Sequence, residues 1–149
     1  MFGLPMKVTT TKGVEIIMRP PVLADAAVFS EGFSSYPVVK TLTMRSSNSV
    51  AAEEKWIRDH DQSETSCGWT LELNGEAVGN TGLDNIQDRR ATSGCCIYRA
   101  DLWGQGIMSA VHRARMYYVD HVMGLEAVES AVLDGNTASS RALEKVGYV

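Results

Sequence analysis

The sequence predicts an α/β fold of the mixed, α+β kind: one domain over residues 1–149, with a mostly antiparallel sheet that feeds a parallel strand, helix, strand crossover. Three observations carry this. Apolar and polar residues alternate on both sides of Asn74-Gly75, a dipeptide that supplies the two positive-φ positions of a tight hairpin. Ile107, Val111, Ala114, Tyr118 and Val122 recur at helical spacing after a strand-like run that ends at Tyr98. A further strand-like run, Ala127 to Leu133, follows that helix, and a crossover of this type is parallel and right-handed.

The remaining elements follow in chain order. Val14 to Met18 is β-branched and apolar after a polar lead through Thr9, Thr10 and Thr11, and Arg19-Pro20-Pro21 closes it because proline cannot donate to a ladder. Ala24, Ala27, Val28 and Phe33 mark a first helix, with Asp25 in the first turn where negative charge suits the helix dipole. Val38 to Leu42 is short and apolar. The polar run from Arg45 leads to Ser49, an N-cap for a second helix through Val50 to Ile57. Trp69 to Leu73 and Ala77 to Leu83 are the hairpin strands; a polar loop through Asp84 and Asp88 leads to Ala91 to Tyr98, the third antiparallel strand of this run and the fourth strand overall. Trp103-Gly104-Gln105-Gly106 opens the longest helix, which Gly124 ends. Asp134-Gly135 turns the chain into a last short helix, with Ala138, Ala142, Leu143 and Val146, stopped by Gly147. The predicted order is β, α, α, β, β, β, α, β, α, without internal repeats.

Composition narrows the function classes. Apolar residues make up 44% and charged residues 21%, which excludes a disordered or low-complexity chain. A formal charge of -4 argues against nucleic acid, which wants a basic footprint. The three cysteines, Cys67, Cys95 and Cys96, are odd in number and two are adjacent, so no disulfide framework is expected. The start of the chain has no signal-peptide pattern, and about 20 consecutive apolar residues occur nowhere. The expected setting is a reducing cytoplasm, away from membranes.

Two stretches carry chemistry. The first is Trp103-Gly104-Gln105-Gly106-Ile107-Met108 at a helix start. Glycines there let backbone approach a ligand closely, and free first-turn N–H groups suit phosphate; on its own the pattern reads equally as a tight turn. No lysine or third glycine stands where a phosphate-binding loop or dinucleotide fingerprint needs one. The second is Asn136-Thr137-Ala138-Ser139 followed by Leu143-Glu144-Lys145-Val146-Gly147-Tyr148. Together, with Ile17-Met18-Arg19-Pro20 and the Asn74-Gly75 hairpin, these stretches resemble the GNAT superfamily of N-acetyltransferases, in the branch that includes the RimJ and RimL enzymes.

That resemblance implies a three-layer fold and acetyl-CoA as cosubstrate, without a metal. Pantetheine would pair with strand backbone at Cys96, Ile97 and Tyr98, and pyrophosphate would lie on the helix start from Trp103, Gly104, Gln105 and Gly106 to Ile107 and Met108. It implies that Ser139 hydrogen-bonds the sulfur and that Asn136 contacts the cofactor nearby. Read from the residues alone, Asn136 is equally the N-cap of the last helix and Ser139 a first-turn serine. Acetyl transfer to an amine also needs an oxyanion donor, for which an N–H near Ile97 would serve, and a route for the amine's proton.

The proton acceptor is not legible. Many relatives carry an acidic residue on the fourth strand in an Ala-Glu-x-Gly pattern, where this chain reads Ala91-Thr92-Ser93-Gly94. Glu72, Asp84 and Glu129 are the candidates, each more readily read as a solvated surface charge; a water chain is the alternative. The adjacent cysteines read as small strand hydrophobes rather than an acyl relay, and His60, His112 and His121 as helix-surface residues. Relatives continue beyond the position of Val149 with further strands, so these C-terminal strands are expected to be absent here, through truncation or with another subunit, a homodimer, covering the sheet edge. The expected function is transfer of acetyl from acetyl-CoA to a primary amine, a protein N-terminus or a small amine, by direct attack. The alternatives are a non-catalytic acyl-CoA-binding module, an inactive truncated enzyme, or a plain nucleotide-binding domain.

Overall fold

A strand precedes the polar lead at the start of the chain, and the lead itself is the turn that follows it. In the computed structural model, which describes residues 1–44 and 46–149, β1 (Met6–Thr9) pairs antiparallel with β2 (Glu15–Arg19). Thr10 Oγ1 accepts from the N–H groups of Lys12 and Val14 at 3.2 and 3.1 Å, and Gly13 takes the positive φ of 81°. This side-chain turn chemistry lies inside a run of threonines that reads as plain loop, and so conceals the hairpin. The strand ending at Ile97 is therefore fifth, not fourth.

Three helices follow: α1 (Asp25–Gly32), the short α2 (Tyr36–Val39), and α3 (Val50–Gln62), whose Ser49 N-cap accepts from Ala52 N–H at 3.2 Å. Arg45, where the polar run before α3 was expected to begin, lies outside the described residues. Next come β3 (Cys67–Leu73), β4 (Glu76–Gln87) and β5 (Arg90–Ile97) as an antiparallel meander. Asn74 and Gly75 take φ of 51° and 82° as the hairpin requires. The expected polar loop after Leu83 is instead the far half of β4, and Asp88 and Arg89 turn the chain with φ of 48° and 59°. That turn lacks the glycine that normally announces it; Arg89 is held by Glu126 at 2.5 Å and by Gly124 O at 3.2 Å.

The chain then crosses over through α4 (Ile107–Tyr118), which continues as a π-turn over Val119–Met123 and ends at the left-handed Gly124. β6 (Ala127–Glu129) lies parallel to β5 and is shorter than the expected run to Leu133; α5 (Thr137–Glu144) follows. The six strands form one sheet in sequential order. One face packs Ile16, Met18, Trp69, Leu71, Val78 and Leu83 against Ile107, Val111 and Tyr118 of α4. The other packs Cys96 and Tyr98 against Phe29 of α1, Val38 of α2 and Ile57 of α3. These are the three layers. Among the described residues no helix is long and apolar enough to cross a membrane.

Candidate functional site

β5 outruns its parallel partner. The β5–β6 ladder covers only Arg90 to Thr92 against Ala127 to Glu129, and Ser130 Oγ then reaches Ser93 O at 3.1 Å. Beyond that point β5 continues to Ile97 paired with β4 alone. Tyr98 N–H donates to Val78 O on β4 at 2.9 Å, so strand alternation turns the N–H and C=O of Ile97 the other way, into the gap. The indole N–H of Trp103 donates to Ile97 O there at 3.1 Å, tying the loop before α4 to the gap.

That loop is built on two left-handed glycines, Gly104 at φ 77° and Gly106 at φ 80°, a conformation glycine adopts without penalty. Gly106 is the N-cap of α4 and no side chain caps the helix, which leaves the first-turn amides of Ile107 and Met108 free to receive an anion. Lys12, from the β1–β2 turn, donates from Nζ to Gly104 O at 2.8 Å. This cation is distant in sequence from the glycines and was missed; only the unrecognised hairpin brings it here.

Asn136 and Ser139 are brought together on the first turn of α5. Asn136 is the N-cap, its Oδ1 accepting from Ser139 N–H at 3.3 Å, so the capping reading of the sequence describes its observed contact. Both residues are half-exposed.

The opposite side of β5 borders a cavity of about 260 Å³ beneath α3, lined by Phe33, Leu42, Trp56 and His60 above and by Asn80, Asp84 and Cys96 on the sheet. Its floor is a row of glycines: Gly68, Gly82 and Gly94 stand opposite one another on β3, β4 and β5. Glycine inside a strand weakens it and marks close approach of a ligand or another backbone. A Cβ on Gly94 would meet nothing within 4 Å. His60 Nε2 lies 3.3 Å from Asp84 Oδ1, and His60 Nδ1 lies 3.1 Å from Trp56 O. Cys67, Cys95 and Cys96 also border the cavity; burial pushes their thiols up to about 11, 11 and 12, so they stay protonated and carry no thiolate chemistry at neutral pH.

The three acidic candidates separate cleanly. Glu72 is engaged by Arg19 Nε at 2.5 Å, and Glu129 forms an exposed pair with Arg90 at 2.7 Å. Asp84 alone faces the cavity, directly across from Thr92, at a bulge where Asn85 takes a φ of 52°. The histidines are also corrected. His60 is half-buried, its ring against that of Trp56 with centroids 3.9 Å apart and planes tilted by 32°, and only His121 is an exposed helix residue. His112 is 2% exposed on α4, and neither ring nitrogen has a partner among the described residues; burial, with Arg115 nearby, pulls it down to about 3.

Comparison with known proteins gives one family match and many structural ones. The family model for the acetyltransferase (GNAT) domain matches residues 15–149. No curated protein matches the chain. Among solved structures, RimJ of Mycobacterium smegmatis in complex with CoA-disulfide superposes with a TM-score of 0.84 at 21% identity, over 96% of this chain and 74% of that one. Spermidine N-acetyltransferase from Vibrio cholerae, in complex with CoA and spermine, gives 0.82 at 15% identity over 90% and 80%. An aminoglycoside acetyltransferase in complex with coenzyme A gives 0.76 at 16% identity over 90% and 84%. At these identities the likeness is one of fold.

Proposed function

This chain belongs to the GNAT acetyltransferase family, and from that premise we propose that it moves the acetyl group of acetyl-CoA to a primary amine by direct attack. The observation that carries the reading is the unpaired edge of β5, which ends beside a side-chain-free helix N-terminus. Pantetheine adds to that edge as an extended strand would, along Cys96, Ile97 and Tyr98. The diphosphate lies on the amides of Gln105, Gly106, Ile107 and Met108, with Trp103 and Gly104 shaping the loop and Lys12 adding positive charge. The N–H of Ile97, turned into the gap, is the oxyanion donor. Ser139 hydrogen-bonds the leaving sulfur, and Asn136 holds that turn in place and contacts the cofactor.

Two of the structurally similar proteins are named for chemically different amines, spermidine and aminoglycosides. For this chain the acceptor is a protein N-terminus or a small amine, in a reducing cytoplasm that keeps its three free cysteines reduced.

Isothermal titration with acetyl-CoA, against a nucleotide diphosphate lacking pantetheine, tests the site. Binding of acetyl-CoA alone is expected, and absence of binding overturns the reading. Ser139→Ala should lower kcat more than it lowers acetyl-CoA affinity; equal losses would remove the serine's role at sulfur.

A further inference from the structure

With the cofactor placed beside β5, one polar side chain of the sheet is left without a task. Asn80 lies on β4 directly opposite Cys96, the residue before Ile97. Its neighbour Thr81 turns toward α4, where Arg115 bonds it, so strand alternation turns Asn80 to the other face, into the cavity beneath α3. Asparagine is disfavoured in strands, and the fold uses none of this one's hydrogen-bonding groups. Thr70, opposite it on β3, donates to Asp25, while Asn48 and Asn85 donate to Glu53 and Thr92. The Asn80 carboxamide, half-buried, has no hydrogen-bond partner among the described residues. A local rule broken without a structural gain marks a functional position.

The position sets what the carboxamide meets. Asn80 is level with Cys96, next to the Ile97 N–H that faces the gap, and two strand spacings, roughly 10 Å, separate β4 from the cofactor side of β5. That is too far for a bond to the reacting nitrogen. A near-attack contact, the two bonds from an amine nitrogen to a neighbouring carbonyl carbon, and one hydrogen bond together span about this distance. The partner is therefore a group two bonds from the amine. Gly94, exposed and without a side chain, leaves the rim of β5 open between gap and cavity. A carboxamide both donates and accepts, so it complements an amide, donating to its C=O or accepting from its N–H. Charge points the same way. Among the described residues the cavity lining holds one carboxylate, Asp84, already beside His60, whereas a polycationic amine is drawn to a site lined by negative charge. Phe33, Leu42 and Trp56 make the facing flank apolar.

We propose that Asn80 selects the acceptor. The attacking amine belongs to an α-amino amide, the group found at a peptide amino terminus or in a free amino-acid amide; Asn80 hydrogen-bonds the amide beside that amine, and an apolar side chain enters the cavity over Gly82 and Gly94. This rests on the acetyltransferase reading above. Asn80 binds and orients; it takes no proton and does not touch the thioester. Holding the amide fixes rotation about the bond that carries the amine, and so aims the nitrogen lone pair at the carbonyl carbon. An amine lacking the amide binds through its apolar part alone and arrives unaligned.

The test uses the whole chain and two probes of one skeleton, leucinamide and 3-methylbutylamine, the second being the first without its carboxamide. The readout is the ratio of their kcat/KM values, compared between wild type and Asn80→Ala so that the different basicities of the two amines cancel. The ratio should fall about 10-fold in Asn80→Ala through loss of the hydrogen bonds to leucinamide. Acetyl-CoA affinity and Tm should stay unchanged, because Asn80 bonds nothing in the fold. Asn80→Asp should shift preference from leucinamide toward spermidine, since added negative charge favours the polycation. Gly94→Leu, which fills the cavity floor, should raise the KM of leucinamide more than that of glycinamide. A Leu-Gly-Gly tripeptide separates the two sources of the amide: a higher kcat/KM than leucinamide assigns a chain terminus, a lower one a free amide, and both support the contact. An unchanged ratio in Asn80→Ala overturns the proposal and leaves the transferase reading standing. Where neither amine is acetylated, or acetyl-CoA does not bind, that reading fails and the side-chain amide signals of Asn80 in nitrogen-15 spectra judge the contact: leucinamide should shift them and 3-methylbutylamine should not. Equal shifts, or none, sink it.

Discussion

Two arginines, one half-buried and one fully enclosed, show how differently this molecule treats charge on its two helical layers. Arg19 is paired twice over: it forms a bidentate contact with Asp25 at 2.8 and 2.9 Å and a third contact with Glu72. Burial works to raise the Asp25 carboxyl, but Arg19, the Val22 N–H and the Thr70 hydroxyl together hold it below its usual range. This network ties β2, α1 and β3. Arg115, with no exposed surface at all, gives its bonds to neutral groups only: Thr81 Oγ1 at 2.6 Å, Gly94 O at 2.9 Å, Ser93 Oγ at 3.0 Å and Tyr148 OH at 3.4 Å. No carboxylate pairs with it among the described residues, and the unpartnered His112 lies one turn earlier on α4. The closed network holds the fold together. The open one, with His112 beside it, carries the molecule's weakness to acid.

The contrast is sharpest under truncation. Asp25→Ala leaves Arg19 deprived of its main partner and should cost ~3–5 kcal/mol in urea unfolding at pH 7; a loss near zero would mean the network is not a structural tie. Arg115→Met removes a cation that has no counter-ion but strands several buried acceptors, so a smaller loss of ~1–3 kcal/mol is expected. If Arg115→Met costs more than Asp25→Ala, the ranking of the two regions is inverted. Acid separates them further. The unfolded chain protonates His112 near its ordinary value of about 6.5, whereas the folded chain resists until about 3. Stability should therefore decline as pH falls through that window, by about 1.4 kcal/mol per unit at most. The contribution of Asp25, whose carboxyl is depressed, stays complete until about pH 4 and is lost only below that. The least disruptive change is His112→Leu, which removes two unpartnered buried nitrogens. It should alter stability at pH 7 by less than about 1 kcal/mol and flatten the unfolding midpoint between pH 6 and about 4. A slope surviving in His112→Leu would assign acid lability elsewhere.

What could be read in advance was what neighbouring residues decide between themselves. Ser49 caps α3, Asn74-Gly75 makes its hairpin, Gly124 stops α4, and Gly104 and Gly106 shape the helix start, each through contacts a few residues long. The parallel step from β5 to β6 followed from the order of elements. The cavity was out of reach because register makes it: Gly68, Gly82 and Gly94 are 14 and 12 residues apart in the chain and meet only when three strands are aligned. His60 and Asp84, 24 residues apart, meet only because α3 packs over the sheet. His112 misled because its place on an amphipathic helix is decided by how α4 rotates onto the sheet, which polarity alone assigns to solvent.

The brevity of the β5–β6 ladder governs when each part of the chain comes loose. Three rungs join β6 to the sheet, and past them the C-terminal segment is anchored by Ser130 on Ser93 and by Tyr148 against Ser93 and Arg115. Apart from these, the segment is held by the packing of α5, through Ala142 and Leu143, on α4 alone, and a segment attached this way opens as a cooperative unit below the free energy of global unfolding. Amides of β6 and α5 should thus exchange with deuterium together and early, while those of β3 and β4, enclosed in the meander, wait for the whole domain. Whatever occupies the gap beside β5 would close that difference, giving the same residues a protection factor that reads cofactor occupancy directly.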